Sequence, residues 1–262
     1  MENSDITQTW ARFGIEHLSA SAINSFISSP ARFVVSKVLN ERTPAGAAAL
    51  RGIAVEAGLM ALASVPDLSV DQAVEEAIQQ LNVQMLSAGI LGSTPSAAKE
   101  IDRAASCIRA GAAAFRALGQ PLLNDDGRQH KITLDLGVGV PIIGYLDALY
   151  PSLICDIKSV SRLPSDISAS HGRQFAIYAA ATGLPVRAFY VSERGVAQFQ
   201  AVGTEVYLAS CRDTAVRIAR FLGHFENREE LLAACPPPDL SSYQWNSEQD
   251  RALALRVFGT FA

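Results

Sequence analysis

The sequence predicts a single α/β domain, because its hydrophobic period changes partway along the chain. The first half is Ala-rich with apolar residues at helical spacing, whereas short β-rich runs follow from His130 to Val160. The chain has 262 residues, of which 49% are hydrophobic and 18% charged, which is enough to bury a sizeable core. We therefore expect a mixed central sheet flanked by helices, with an N-terminal helical region.

The N-terminal half predicts five helices. Ser19 is a suitable N-cap for a helix that continues through Ile27, and Pro30 suits the first turn of the next helix. Apolar spacing predicts three more, over Ala45–Ala63, Val70–Ser87 and Ser96–Leu118. The segment at about 65–118 is interpreted as a helical insertion in one domain that spans residues 1–262.

The second half predicts the sheet. The runs HKITLDLGV, VPIIGYLDALY and SLICDIKSV indicate three strands in a meander. A helix is expected from about Ile167 to Thr182, ended by Gly183. A hairpin with its turn at residues 193–195 and a helix over Glu205–Gly223 complete the αβββαβ order, before a Pro-rich tail at about 235–262 that ends in a short helix.

Bulk charge and cysteine usage restrict the class of protein. A net charge of −4 and a pI of about 5.6 count mildly against binding nucleic acid by phosphate neutralisation alone. A local basic channel remains compatible with it, and the alternative is that the basic clusters are solvated surface. The four cysteines form no CxxC pair, so we expect inert packing residues rather than a zinc ribbon or disulfide framework. The basic clusters comprise Arg32, Lys37, Arg42 and Arg51, then Arg162, Arg173 and Arg187.

The compartment is predicted from the absence of two signals. The polar N-terminal run MENSDITQTWARFG lacks the features of a signal peptide. The apolar stretch from Thr43 to Val65 is interrupted by Arg51 and Glu56, so it does not indicate a membrane span. We therefore expect a cytoplasmic protein with no membrane partner.

Two carboxylates and a lysine on neighbouring predicted strands form the main candidate site. Alternation along SLICDIKSV places Asp156 and Lys158 on one face and Ile157 in the core, and an antiparallel neighbour brings Asp147 beside Asp156. Carboxylates that close repel unless a cation lies between them, and hard oxygen ligands suit Mg²⁺ or Mn²⁺. Lys158 then has two candidate roles, deprotonating or orienting a water and neutralising transition-state charge. An ordinary surface ion pair of Asp156 with Lys158 is the alternative.

Two further segments carry polar groups on predicted helices. Gln174 and Tyr178 lie four residues apart, on one helix face, where they could brace the lysine or touch a phosphate or base. Glu56 lies in the small-residue helix RGIAVEAGL, which can approach the sheet closely. A buried carboxylate there requires a partner, and a metal shared with Asp147 and Asp156 would serve. Ordinary polar helix faces are the alternative for both segments.

Taken in order, these motifs resemble RecB-like nuclease domains of the PD-(D/E)XK superfamily. The opening LSASAINSFISSPARFVVSKV is followed by Gly52 with Glu56, then G-Y-L-D, D-I-K-S and Q-x-x-x-Y, from about Leu18 to Tyr190. The resemblance implies a restriction-endonuclease-like core and a DNA nuclease. It implies Mg²⁺ or Mn²⁺ ligation and catalysis as follows: Glu56, Asp147, Asp156 and the Ile157 carbonyl as ligands, Lys158 as a catalytic residue, and Gln174, Tyr178, Arg51 and Ser159 as substrate-positioning residues.

Two departures from the family pattern affect these expectations. Many relatives carry His where this chain has Glu56, which leaves ligation intact and the metal preference open. Many also bind an iron–sulfur cluster through a Cys before the early Pro and a C-terminal Cys trio. That position is Ser29 here, and only Cys235 lies near the C-terminus, so no cluster is expected.

Three functions are compatible with these features. The first is a stand-alone exonuclease of the kind that phages and prophages encode for recombination or repair, acting in a bacterial host. The resemblance implies a single-strand annealing protein as partner and a ring trimer as its assembly. The second is a catalytically silent DNA-binding scaffold, and the third is a defence-system endonuclease with a protein partner. Tyr243 and Trp245 in the tail either dock on such a partner or pack back on the domain.

Overall fold

A four-stranded mixed sheet with a hydrophobic core on each face organises the protein. The computed structural model describes residues 3–92, 94–124, 129–245 and 247–259. Alternate residues of one strand serve both cores: Ile154 lies in the first, whereas Cys155 and Ile157 lie in the second. This alternation follows from the two-residue period of a strand, so both faces of the sheet are covered by helices.

The N-terminal helices form at the predicted positions. Ser19 caps α2 by accepting a hydrogen bond from the Ala22 amide, and the capping box of Ser69 with Gln72 begins α5. Helix α1 was not predicted, because it is short and polar on average. Its Trp10 indole donates to the Val138 carbonyl at 2.7 Å. These elements are α1 (Asn3–Arg12), α2 (Ala20–Ser28), α3 (Pro30–Phe33) continuing as a π-helical turn (Val34–Val38), α4 (Ala47–Ser64), α5 (Val70–Ser87) and α6 (Pro95–Leu118).

The strands form two sheets. β1 (His130–Leu134) and β2 (Ile142–Leu146) pair antiparallel as a hairpin. The second sheet has the order β3-β4-β5-β6, in which β4 and β5 are parallel and the outer pairs antiparallel. Its strands are β3 (Ala148–Tyr150), β4 (Leu153–Ser159), β5 (Val186–Ser192) and β6 (Gly195–Gln200), with α7 (Ala169–Thr182) as the crossover between β4 and β5.

The prediction of three strands in one meander was wrong at its second member. The run VPIIGYLDALY forms two strands, β2 and β3, that separate at Asp147 and enter different sheets. The break moves β2 toward α2, where Leu18 donates to the Pro141 carbonyl and the Ile143 amide donates to Leu18. Alternation of apolar residues continues across Asp147, so the pattern carries no sign of the break.

Helices α4, α5 and α6 pack on one another, and α4 and α6 cover one face of the sheet. Gly58 and Gly111 allow this close approach, since a Cβ on either would lie 2.7 Å from Ile108 or Leu59 respectively. By length and composition alone, α4 is apolar enough to cross a membrane. Core helices of soluble proteins pass the same test, and here α4 lies against α5, α6 and β4.

The C-terminal third belongs to the core on the opposite face, where its first helix packs on α7. Trp245 is fully buried, so it packs back on the domain, whereas Tyr243 is exposed. All four cysteines are buried and free, as expected for packing residues. The elements are α8 (Thr204–Gly223), α9 (Arg228–Ala234), a 3₁₀ turn (Tyr243–Trp245) and α10 (Glu248–Phe258), of which α9 was not predicted.

Candidate metal centre

Asp147 lies at the junction between β2 and β3, and its position follows from that break. Pairing of β3 with β4 ends at Ala148 opposite Cys155, so the main chain beyond Cys155 has no antiparallel strand beside it. The side chain of Asp147 takes that place: its Oδ2 accepts a hydrogen bond from the Ile157 amide at 2.8 Å. The strand break thus positions a carboxylate against the main chain of β4.

Asp156 and Lys158 lie on one face of β4, as predicted, and they form an ion pair there. Asp156 is fully buried, and the Lys158 Nζ lies 2.7 Å from its Oδ2. Ile157 between them points into the opposite core. A solvated surface pair is therefore excluded, because a buried carboxylate is costly without a cation or several donors around it.

Glu56 reaches the same site from α4, and it does so beside a residue that the sequence did not indicate. The Gln129 Nε2 donates to Glu56 Oε1 at 2.6 Å and lies 3.5 Å from Asp147 Oδ1. Gln129 immediately precedes β1 and belongs to no family motif, so only the fold places it here. The prediction that Glu56 and Asp147 lie together is thus supported by a side chain that touches both.

The electrostatics of the site reflect three carboxylates that share one partly buried space. Burial and the neighbouring Asp147 raise the pKa of Glu56 to about 7. Burial also raises the pKa of Asp147 and of Asp156, against the opposing effect of Lys158. Each carboxylate is therefore harder to ionise than in water, and a cation placed among them would relieve this cost.

Lys158 is held in its ammonium form. Burial lowers the pKa of Lys158, but the charges of Asp156 and Asp147 more than offset that effect, and the net pKa is raised. Of the two roles predicted for this lysine, charge neutralisation is the one that this environment supports.

Removing the charge of Glu56 should stabilise the protein in EDTA at alkaline pH. The pKa of Glu56 is higher in the folded than in the unfolded chain. The free energy of unfolding therefore falls as the pH rises from about 4.5 to about 7. We expect Glu56→Gln to be more stable than the native chain by about 1–3 kcal/mol at pH 8, with little difference at pH 4.5. Urea unfolding in EDTA measures this, with Glu75→Gln, exposed on α5, as the control. A loss of stability at pH 8 would contradict the electrostatic account.

The donor set fits a hard divalent cation. Asp156 Oδ1 is fully buried and has no hydrogen-bond partner among the described residues, which leaves it available as a ligand. As the side chains stand, no three His, Cys, Asp or Glu residues in the described ranges are close enough to hold a metal. Gln129 and Lys158 each contact carboxylate oxygens that a cation would otherwise bind. Glu56, Asp147 and Asp156 would hold the ion, and the Ile157 carbonyl stays a predicted ligand.

Gln174 and Tyr178 contact each other on one face of α7, as predicted, but they brace a strand rather than the lysine. The Gln174 Nε2 donates to the Tyr178 hydroxyl at 2.7 Å, and that hydroxyl donates to the Tyr145 carbonyl at 2.7 Å. Tyr145 is two residues before Asp147, so the pair fixes the end of β2 from which Asp147 projects. Their role in positioning substrate stays a prediction.

Gly144 should not tolerate a side chain, because Tyr178 packs directly over it. An added Cβ would lie 2.8 Å from Tyr178 Cε1 and 3.1 Å from Ile132 Cδ1. We expect Gly144→Ala to lower the free energy of unfolding by about 1–3 kcal/mol, from overpacking. Gly52 on α4 is the control, since its Cβ would meet nothing within 4 Å, and alanine there should stabilise the helix. Chemical denaturation compares them, and equal stabilities would contradict the bracing contact.

Arg51 and Ser159 contact one another, which ties α4 to the end of β4. The Arg51 Nε donates to Ser159 Oγ at 3.1 Å, and the Arg51 Nη1 forms an ion pair with Glu100 on α6. Arg51 is buried, with 8% of its surface exposed. These contacts are structural, and the assignment of both residues to substrate positioning stays a prediction.

His171 is a second neighbour of the site that the sequence did not indicate. Its Nδ1 is 2.7 Å from the Tyr190 hydroxyl, beside the strand that pairs with Lys158. Burial, and then the charge of Lys158, lower the pKa of His171 to about 4. It is therefore neutral near pH 7, and it adds no positive charge next to the lysine.

Two cavities meet at Asp147, the one residue that lines both within the described part of the chain. The first, of about 660 Å³, has polar and apolar walls in nearly equal share and carries Lys37 and Arg42. The second, of about 570 Å³, is largely apolar and contains Glu56 and Gln129. Asp147 is therefore reachable from a basic cleft on one side and an apolar cleft on the other, and Glu56 from the apolar cleft, whereas Asp156 is fully buried.

The fold and this site define a nuclease of one superfamily. The family model described as the PD-(D/E)XK nuclease superfamily matches residues 17–253, which is most of the chain. The protein belongs to the PD-(D/E)XK nuclease superfamily, and that membership implies nuclease activity. Nucleases of this superfamily generally use divalent metals such as Mg²⁺. No curated protein matches the chain.

Proposed function

We propose that this protein is a deoxyribonuclease that requires Mg²⁺ or Mn²⁺ and cleaves phosphodiester bonds at Glu56, Asp147, Asp156 and Lys158. The observation that carries the proposal is the convergence of these four side chains from α4, the β2–β3 junction and β4, with Asp147 lining the basic cleft. A scaffold would have no need to keep a fully buried carboxylate with an unpartnered oxygen.

Each residue has a distinct task in this proposal. The three carboxylates would hold the cation, which when bound would supply an activated water and polarise the phosphate. Lys158, kept as an ammonium, neutralises negative charge that develops on the phosphate as the bond breaks. Asp147 is held in register by its hydrogen bond to the Ile157 amide, and Tyr178 fixes the strand before it.

The basic cleft supports nucleic acid as the substrate. Lys37 and Arg42 line it together with His17, and no carboxylate pairs with either cation among the described residues. Lys37 projects from the π-helical turn after α3, and the hydroxyls of Ser19 and Ser21 face the same space. Unpaired cations and hydroxyls are the groups that contact phosphates in DNA complexes. The acidic net charge of the chain is thus compatible with a locally basic binding cleft.

Exonuclease action in phage-type recombination or repair is the finer part of the proposal. It rests on the resemblance of the ordered motifs to RecB-like phage exonucleases, as do the annealing-protein partner, the ring trimer and the bacterial cytoplasm as its location. An endonuclease of a defence system uses the same chemistry on the same fold. Whether cleavage requires a free DNA end therefore distinguishes the exonuclease from the endonuclease.

The experiment is digestion of linear duplex, single-stranded and covalently closed circular DNA with Mg²⁺, Mn²⁺ or EDTA. We expect metal-dependent loss of linear DNA, with closed circles intact. Cleavage of circles would replace the exonuclease proposal with the endonuclease. DNA binding without cleavage under every condition would favour the scaffold and contradict the proposed function.

A further inference from the structure

Gln129 occupies the space between two of the three carboxylates. Its Nε2 is 2.6 Å from Glu56 Oε1 and 3.5 Å from Asp147 Oδ1, so one amide group faces both oxygens. Gln129 is exposed and immediately precedes β1. It also lines the apolar cleft with Glu56 and Asp147, so it reaches the carboxylates from the solvent side.

An amide nitrogen in this position does part of what a cation does. Its two N–H groups carry partial positive charge and donate only, so they offset the repulsion between facing carboxylates. A divalent ion held by the same two oxygens would lie about 2.0–2.1 Å from each if it were Mg²⁺. The amide nitrogen and the ion would therefore need the same oxygens, and both cannot bind them as the side chains stand.

We propose that Gln129 is a built-in competitor of the divalent ion, whose amide must leave Glu56 and Asp147 before the metal binds. The proposal rests on the metal centre proposed above and concerns how tightly that centre binds its ion. Because Gln129 is exposed and precedes β1, its side chain can rotate away without rearrangement of the sheet. Gln129 thereby stabilises the metal-free site and weakens the affinity for metal.

Shortening this side chain should tighten metal binding. Without the amide, Glu56 and Asp147 face each other with less compensation, and the metal displaces no hydrogen bond when it binds. We expect Gln129→Ala to bind Mn²⁺ about three- to tenfold more tightly than the native chain, which is the range that the net contribution of one typical hydrogen bond gives. Calorimetric titration with Mn²⁺ alone, without DNA, measures the affinity directly.

Gln120→Ala is the matched control. Gln120 is also exposed, and its Nε2 donates to the Ser64 carbonyl at 3.1 Å, away from the carboxylates. Its affinity for Mn²⁺ should equal that of the native chain. Urea unfolding in EDTA adds a second readout, since Gln129→Ala should be less stable than the native chain without metal.

The outcomes separate this inference from the function on which it rests. Unchanged affinity in Gln129→Ala would overturn the competition, and weaker binding would show that the glutamine is a ligand through its oxygen. In both cases the metal centre stands. If the native chain takes up no Mn²⁺, or if Glu56→Gln and Asp147→Asn bind it as the native chain does, the centre itself is wrong and the inference falls with it.

Discussion

Replacing Lys158 by alanine is expected to reduce DNA cleavage by at least about 10³-fold while binding of DNA is retained. The ammonium lies 2.7 Å from Asp156, and its raised pKa keeps it charged during the reaction. Its loss removes the positive group nearest the carboxylates but leaves the basic cleft with Lys37 and Arg42 intact. Cleavage rates with saturating Mg²⁺ and fluorescence anisotropy of labelled DNA in EDTA measure the two effects.

The control for this variant is Lys131→Ala. Lys131 is exposed on β1, and its pairing with Tyr145 is through the main chain. Because Lys158→Ala leaves Asp156 buried beside no cation, its fold must be verified by circular dichroism, and Lys158→Gln offers a second, less disruptive variant. Folded Lys158 variants that cleave at the native rate would contradict the assignment.

Asp147→Asn is expected to abolish metal-dependent cleavage, with a loss of about 10³-fold or more, and to lose the thermal stabilisation by Mn²⁺. The asparagine keeps an oxygen that can accept the hydrogen bond from the Ile157 amide, so β4 should keep its partner. What disappears is the negative charge shared with Glu56 and Asp156. Cleavage assays and melting curves with and without Mn²⁺ measure the two losses independently.

Asp213→Asn on α8 is the control, because this aspartate is exposed and far along the chain from the site. It should leave both the cleavage rate and the Mn²⁺-induced shift unchanged. An Asp147→Asn variant that retains the full shift would place the metal elsewhere, whatever its cleavage rate.

Much of the fold could be predicted because its signals are local. The start of α2 follows from its cap Ser19, and Gly183 ends α7 in the left-handed region with φ of 72°. The break at Asp147 could not be predicted, because it arises from competition between two sheets for one apolar run. That competition is decided by long-range contacts, such as the β-bridge between Leu18 and Ile142.

Site residues could be predicted from the sequence where the alternation of a strand fixes their position. They could not be predicted where their position depends on contacts between distant parts of the chain. Asp156 and Lys158 share a face because they are two residues apart on β4. Gln129 reaches Glu56 only because β1 begins beside α4, a contact between residues 73 positions apart. Arg51 was predicted to position substrate because it lies beside a motif. In the fold its side chain joins α4 to β4 through Ser159 and to α6 through Glu100.

The central claim is that Glu56, Asp147 and Asp156 together hold the metal that cleavage requires. Anomalous scattering from crystals soaked with Mn²⁺ tests it most directly, because it locates the ion without relying on activity. We expect one strong anomalous peak in contact with oxygens of all three carboxylates, with the Gln129 amide displaced from Glu56. A peak at other residues, or no peak under conditions in which the same preparation cleaves DNA, would contradict it.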